Sequence, residues 1–296
     1  MNKLFLFIMF LALFLNPYET FAKDKNESKN AILIVSFGTS MPEARKAIDN
    51  LVDAAKNNFQ DFEIRLAFSS NIIRRKIARE NNEIIPTPPE ALAKLNDEGF
   101  KNVYIMPTHI IPGEEYDEIK NVRDSFANLK GKYGFKKILL GKPFLNGVED
   151  CDRMSEILSE RFKKYLDDKE TAIILMGHGT PEHIANAMYS QLQLSLNKAH
   201  YGKFFLGTVE AAPKIEDIIA SLKRHNEIKK LVISPFMIVA GDHANNDLAD
   251  ENDDESWISI LKSNGYENIE KYLVGLGEDE NIKNDFVKKI RELVND

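Results

Sequence analysis

The segment AILIVSFGTS at residues 31–40 joins an apolar run to a glycine turn, and the segment TAIILMGHGT at residues 171–180 repeats this pattern. Continuous apolar runs of this length are typical of parallel strands that are buried on both faces. Gly38 in SFGT (36–39) matches Gly179 in GHGT (177–180). We therefore expect two similar units that each begin with a buried strand; a chance likeness between common strand-turn signals is the alternative.

Further apolar runs alternate with amphipathic stretches along the rest of the chain, which predicts strand-helix units around parallel sheets. Apolar residues at helical spacing predict a first helix, with Thr39 or Ser40 as its N-cap and Pro42 in its first turn. The predicted fold class is α/β, with two similar lobes at residues 31–145 and 146–296 that face each other across a cleft. Each lobe is expected to hold a mainly parallel four-stranded sheet flanked by helices. The predicted strands lie at residues 31–37, 63–69, 102–108, 136–141, 171–177, 203–209, 230–239 and 270–276.

The amino terminus differs in composition from the rest of the chain. Lys3 precedes an unbroken apolar run at residues 4–15, and small residues flank Phe21 before Lys23. This pattern predicts a secretory signal peptide at residues 1–22 that is cleaved after Ala22, followed by a flexible leader at residues 23–30. An uncleaved membrane anchor is the alternative, but the run is shorter than the roughly 20 residues that a spanning helix needs. We therefore expect an exported, periplasmic protein that is not an integral membrane protein after cleavage.

Composition restricts the chemistry that the chain can perform. The 296 residues are 43% hydrophobic and 29% charged, which is enough apolar material for a large folded core. A net charge of -7 without a basic cluster argues against nucleic acid as a partner. The single cysteine, Cys151, permits neither an internal disulfide nor a cysteine metal cluster. Nucleotide-binding glycine motifs do not follow any predicted strand, so we expect no nucleotide cofactor.

Three residues of the second lobe follow its first three predicted strands: His178, Glu210 and His243. Ligands of open parallel sheets bind at the carboxyl ends of the strands, so these side chains are expected to converge. Two imidazoles and a carboxylate suit Co²⁺, Fe²⁺, Ni²⁺ or Zn²⁺ with open coordination positions. The alternatives are hydrogen-bonded turn histidines and a carboxylate that caps the following helix.

Other candidate contacts lie at the same edges of the two sheets. His109 follows the third strand of the first lobe, where it either faces the cleft as a substrate contact or axial haem ligand, or bonds a loop carbonyl. Gly38 and Gly179 are expected in tight turns whose N–H groups lie at a helix N-terminus, which favours an anionic group.

Several motifs resemble one known family. The segments GHGTP (177–181), VE (209–210) and above all PFMIVAGDHANNDLA (235–249) are similar to the anaerobic-pathway sirohydrochlorin cobaltochelatases, which are class II tetrapyrrole chelatases related to ferrochelatase. The likeness runs from Ala31 onward and includes SFGTS (36–40) and HIIPGEEY (109–116). It implies two similar α/β lobes around a tetrapyrrole cleft.

The resemblance also implies residue roles. His178 would be metal ligand and proton acceptor, and Glu210 and His243 would complete the metal site. Insertion of a divalent ion into a macrocycle removes two pyrrole N–H protons, and an imidazole can accept a proton near neutral pH. Neither metal transfer nor proton removal would need nucleotide hydrolysis. The expected substrates are Co²⁺, with Fe²⁺ or Ni²⁺ as alternatives, and sirohydrochlorin or a related tetrapyrrole.

Two other functions stay open at this point. Export and His109 are compatible with a haem- or metal-binding protein that has no chelatase role, and the same residue cluster is compatible with a metal-dependent hydrolase. Assembly into a homo-oligomer is also left open.

Overall fold

The computed structural model describes residues 28–296, which form two parallel sheets with helices around them. The strands are β1 (Asn30–Ser36), β2 (Glu63–Phe68), β3 (Asn102–Pro107), β4 (Lys137–Leu140), β5 (Thr171–Gly177), β6 (Phe204–Thr208), β7 (Lys230–Pro235) and β8 (Asn268–Lys271). The α-helices are α1 (Pro42–Asn58), α2 (Asn71–Asn81), α3 (Pro88–Asp97), α4 (Glu114–Ala127), α5 (Val148–Arg161), α6 (Lys163–Leu166), α7 (Ala187–Ala199), α8 (Ile215–Leu222), α9 (Trp257–Ser263) and α10 (Glu280–Asn295).

The two sheets have the same topology. The strand orders are β2-β1-β3-β4 and β6-β5-β7-β8, and all neighbouring strands are parallel. The first strand of each lobe therefore lies between the second and the third, so that all three carboxyl ends meet at one edge. The predicted fold class is confirmed, and the matching orders support the internal duplication that the two glycine turns indicate.

Side chains of β1 and β5 alternate between two cores, as strands buried on both faces require. Ile32 and Ile34 join a core that also contains Ile173 and Leu175 of the other lobe. Leu33 packs on the opposite face of its sheet in a core of the first lobe alone, and the second lobe has its own outer core under α8 and α9. A continuous apolar layer therefore connects the lobes beneath the cleft.

The last helix crosses back to the first lobe. Helix α10 packs against α1 and also contacts β3. Its Phe286 stacks on Phe144, with ring centroids 6.1 Å apart, and the Lys289 ammonium lies 2.9 Å from the Asp150 carboxylate of α5. The chain after β8 thus ties the two lobes together, although the boundary at residue 146 would assign α10 to the second lobe by sequence position.

Several predicted boundaries are wrong. Strand β7 ends at Pro235 rather than at residue 239, and β8 occupies Asn268–Lys271 rather than residues 270–276. Strand β1 already begins at Asn30, which we expected in the flexible leader. Helix α1 has Met41 as its N-cap, because the Thr39 hydroxyl accepts a hydrogen bond from the Met41 amide before the helix starts.

The predicted signal peptide at residues 1–22 and most of the leader lie outside the described residues. Within residues 28–296, no helix combines the length and the apolar character that a membrane span requires.

Candidate active site

A cleft of about 420 Å³ opens between the carboxyl ends of the strands of both lobes. The segments after β1 and β3 line it from the first lobe, and the segments after β5 and β7 line it from the second. His109, His178 and His243 are all among the lining residues. Parallel topology therefore brings residues from distant parts of the chain to one place, as expected for ligand sites of such sheets.

Backbone hydrogen bonds place Glu210 beside His178. The Val209 amide donates to the Gly177 carbonyl at 3.0 Å, and the Glu210 amide donates to the His178 carbonyl at 2.9 Å. This pairing continues the β5–β6 ladder beyond the ends of both strands. The Glu210 carboxylate consequently lies 3.7 Å from Nδ1 of His178.

His243 reaches the same site from a different kind of element. It directly precedes a π-helical turn at Ala244–Leu248, a rare element that is frequent at functional sites. Its ring lies nearly perpendicular to the His178 ring, with centroids 4.8 Å apart. Nδ1 of His243 lies 2.7 Å from the Asp247 carboxylate, which therefore orients the ring and leaves Nε2 for a ligand.

The candidate metal ligands do not enclose a metal position on all sides. Among the side chains of residues 28–296, no group of three or more His, Cys, Asp and Glu residues forms a ready-made metal cage. Glu210 lies next to His178 but is not itself among the lining residues of the cleft. Closed cages are typical of structural metal sites, whereas a metal that reacts needs open positions.

The turn that carries His178 is fixed from behind by Tyr189. A Cβ atom at Gly177 would come within 2.6 Å of the Tyr189 ring, so only glycine permits this packing. The Tyr189 hydroxyl accepts a hydrogen bond from the Gly179 amide at 3.3 Å. Burial raises the pKa of Tyr189, so the hydroxyl stays protonated. The turn is consequently held by packing and by a buried hydrogen bond.

The anionic site expected at Gly179 lacks the predicted helix N-terminus. Helix α7 begins only at Ala187, and the amides of the turn already donate to other groups, that of Gly179 to Tyr189 and that of Thr180 to the Asn186 side chain at 3.0 Å. Gly38 precedes α1 by a few residues, as expected, with a left-handed φ of +103°. Both glycines line the cleft.

His109 borders the cleft and is mostly buried. Neither ring nitrogen is accessible to water, and neither has a hydrogen-bond partner among the described residues. The predicted alternative of a bond to a loop carbonyl is therefore not seen at this ring. Burial lowers the pKa of His109 to about 4, so the imidazole is neutral near pH 7. The ring therefore carries one donor and one acceptor that are buried and unused within the described residues.

Glu115 is the residue that sequence reasoning passed over as a functional group. It lies in the first turn of α4, where acidic residues are common because they stabilise the helix. In the structure it lines the cleft from the first lobe, half-buried. Burial raises the pKa of Glu115, the charge of nearby His178 opposes this rise, and the charge of Glu210 adds to it. The carboxyl thus interacts with two predicted site residues across the cleft.

Contacts between α4 and the loop after β5 position Glu115. The Glu114 amide donates to the Thr180 hydroxyl at 3.4 Å, and Nε2 of His183 lies 3.3 Å from the Asp117 carboxylate. Nδ1 of His183 accepts from the Ala185 amide, which places the ring proton on Nε2. These contacts connect the two lobes at the edge of the site.

The sequence model of the cobalt chelatase (CbiK) family matches residues 30–295. The chain belongs to the cobalt chelatase family. It is 31% identical over 270 residues to the sirohydrochlorin cobaltochelatase of Salmonella typhimurium, covering 90% of this chain and 97% of that protein. It is also 29% identical over 238 residues to the sirohydrochlorin cobaltochelatase CbiKC of Nitratidesulfovibrio vulgaris, covering 80% and 81% of the two chains. The family resemblance inferred from the motifs is thereby confirmed.

Solved structures share the fold of this cobalt chelatase family member. SirB from Bacillus subtilis with Fe³⁺ superposes with a TM-score of 0.59 at 16% identity, covering 90% of this chain and 95% of that one. CbiX, described as the terminal enzyme of sirohaem biosynthesis in denitrifying bacteria, superposes with a TM-score of 0.54 at 13% identity, covering 88% and 98%. At these identities the likeness concerns the fold alone.

Proposed function

We propose that this protein inserts Co²⁺ into sirohydrochlorin without nucleotide hydrolysis. The observation that carries the proposal is the pair of neighbouring imidazoles, His178 and His243, that line the cleft in a cobalt chelatase family member. The names of the Salmonella and Nitratidesulfovibrio relatives supply the tetrapyrrole and the metal. Imidazole ligands also bind Fe²⁺ and Ni²⁺, so these ions are proposed as alternative substrates.

In this proposal His178, Glu210 and His243 hold the metal before transfer. Nδ1 of His178 lies 2.9 Å from the Gly179 carbonyl, which can only accept, so Nδ1 carries the ring proton and Nε2 is free. The Asp247 carboxylate accepts a hydrogen bond from Nδ1 of His243, so this ring also carries its proton on Nδ1 and has Nε2 free. Both free nitrogens can therefore bind an ion that the pyrrole nitrogens then take over stepwise.

Each inserted ion displaces two pyrrole protons, and the site offers a base on either side. His178 is proposed as one proton acceptor, through Nε2 once the ion has left it. Glu115 is proposed as the second, because it lies across the cleft and burial raises its pKa. A carboxylate with a raised pKa is a stronger base than an ordinary one, which suits this task.

The neutral ring of His109 is proposed to contact the tetrapyrrole. A buried donor or acceptor without a partner costs about 1–3 kcal/mol, and a ligand group that bonds it would recover part of that cost. The backbone at Gly38 and Gly179 is proposed to lie against the same ligand, since both line the cleft.

An assay of metal insertion by the purified protein tests this function. Insertion is followed as the change in the absorbance spectrum of sirohydrochlorin after Co²⁺ is added. We expect His178→Ala and His243→Ala each to lower the rate at least about tenfold. His225→Ala, in a ring that bonds Glu227 and does not line this cleft, serves as the matched control. Undiminished activity in both site variants would refute the residue assignment.

A second candidate function is haem binding, with His109 as the axial ligand, because this imidazole lines the cleft and has no hydrogen-bond partner among residues 28–296. Titration with haem tests it: a His109→Ala variant that keeps the wild-type Soret shift would rule out axial ligation by this residue. The predicted hydrolase has no comparable support, since the family match concerns chelatases.

Export stays a proposal that rests on residues 1–22 alone. It would be supported by N-terminal sequencing of the protein from a periplasmic fraction, with Lys23 as the first residue. Homo-oligomer formation likewise stays a prediction, for which light scattering at several protein concentrations is the measurement.

A further inference from the structure

Helix α2 forms one wall of the cleft mouth in the first lobe. Ile72, Ile73 and Lys76 of this helix are among the residues that line the cleft. Residues four positions apart lie on one face of a helix, so Ile72 and Lys76 are neighbours on the side that faces the cleft. A helix wall of this kind presents its side chains directly to whatever enters.

The helix is anchored independently of that face. The Ser70 hydroxyl caps its N-terminus by accepting from the Ile73 amide. The Arg74 guanidinium bonds the Ile85 carbonyl and the Glu90 carboxylate, both at 2.6 Å, and Ile77 is buried below. The orientation of α2 is thus determined by contacts away from the cleft.

Within the described part of the chain, the side chains of Ile72 and Lys76 on the cleft face are both exposed. Ile72 is 81% exposed, and Lys76 is exposed with no ion pair or hydrogen bond to any residue of 28–296. Neighbouring Arg74 and Arg79 both have carboxylate partners. Phe37 adds a second exposed apolar side chain to the cleft lining, at 43%.

Charge is distributed unevenly along the cleft. Among its described lining residues, Lys76 is the one Lys or Arg, whereas Glu115 and Asp242 are carboxylic acids near the facing imidazoles. Peripheral carboxylates of a ligand are attracted to Lys76 and repelled by Glu115 and Asp242. Lys76 is therefore the place in this lining where a ligand carboxylate finds an opposite charge.

We propose that α2 binds the tetrapyrrole, with the Lys76 ammonium contacting a peripheral carboxylate and Ile72 packing against the face of the macrocycle. This inference rests on the proposed function, because it takes a carboxylate-bearing tetrapyrrole as the ligand. Lys76 acts as a specificity residue and takes no part in proton transfer or metal binding.

Binding of metal-free sirohydrochlorin, followed by fluorescence quenching at low ionic strength, tests the proposal. Exposed ion pairs contribute little in water, so we expect Lys76→Gln to raise the Kd about fivefold and Lys76→Arg to restore it. The matched control is Arg75→Gln, which removes one positive charge from the same helix but does not line the cleft. We expect it to change the Kd less than about twofold, since adjacent helix residues project about 100° apart.

Salt and kinetics give two further readouts. The Lys76→Gln effect should shrink as salt screens the contact. In the insertion assay, the KM for sirohydrochlorin should rise while kcat and the KM for Co²⁺ stay near wild type. An unchanged Kd in Lys76→Gln, or an equal effect of Arg75→Gln, would overturn the inference.

Failure of this inference is separable from failure of the proposed function. If the wild type inserts Co²⁺ and Lys76→Gln binds sirohydrochlorin normally, only the proposed role of α2 is refuted. If the wild type binds sirohydrochlorin in a Lys76-dependent way but does not insert Co²⁺, the proposed chelatase function fails and the role of α2 is supported.

Discussion

His109 gives a quantitative prediction about acid stability. Burial lowers the pKa of His109 to about 4, from an ordinary value of 6.5. Between these two values the unfolded chain binds a proton that the folded protein does not, so the free energy of unfolding must fall as pH is lowered. Stability from this site is fully present above pH 6.5 and is lost toward pH 4.

The size of the effect follows from the two pKa values. One pKa unit corresponds to about 1.4 kcal/mol, and the shifted site removes about 2 kcal/mol of stability between pH 7 and pH 5. In a His109→Leu variant this contribution disappears. We therefore expect the variant to lose about 2 kcal/mol less than the wild type over that interval, whatever the substitution does at pH 7.

Urea denaturation of both proteins at pH 7 and pH 5, in the absence of ligand, measures the four free energies. The comparison uses the difference between pH values within each protein, so packing changes caused by the substitution cancel. Equal losses in the wild type and the variant would refute the reasoning, because they would mean that water or a protein group stabilises the protonated ring.

Three other predictions concern the site and the fold. Replacement of Asp247 by Ala should weaken Co²⁺ binding about tenfold in calorimetry, because its carboxylate orients His243 at 2.7 Å; an unchanged Kd would show that the ring needs no such support. Replacement of Gly38 by Ala should lower the free energy of unfolding by at least about 2 kcal/mol, since φ is +103° and a Cβ would lie 2.5 Å from the buried Phe68 ring; wild-type urea stability would contradict this. Burial raises the pKa of Cys151 to about 11, so the thiol should react with a disulfide reagent at pH 8 only after denaturation; rapid reaction of the native protein would show that the thiol is accessible.

Structural features that depend on residues close together in the sequence could be predicted from it. Strands β1 and β5 were predicted to within one residue because their apolar runs are uninterrupted and end in glycine turns. His178 follows β5 directly, and its approach to Glu210 follows from the parallel ladder. Both inferences need only the alternation of elements and the rule that ligands lie at carboxyl ends.

The strand prediction from local patterns is wrong where apolar residues line the cleft instead of continuing a strand. Phe236, Met237, Ile238 and Val239 continue the apolar run of β7, so the strand was predicted to extend to residue 239. These residues instead leave the sheet at Pro235 and line the cleft. Apolar character alone does not distinguish a buried strand from the apolar wall of a ligand site.

The sequence by itself determined the duplicated α/β architecture and the membership in the cobalt chelatase family, and it predicted His178, Glu210 and His243 as the metal residues of the second lobe. Only the tertiary structure decided that Glu115 lines the same cleft as His178 and that, within residues 28–296, His109 has no hydrogen-bond partner and Lys76 is the one Lys or Arg of the cleft lining. The physical reason is that hydrophobic periodicity is a property of residues that are close in the sequence. Desolvation and charge coupling instead depend on groups that the fold brings together from distant parts of the chain.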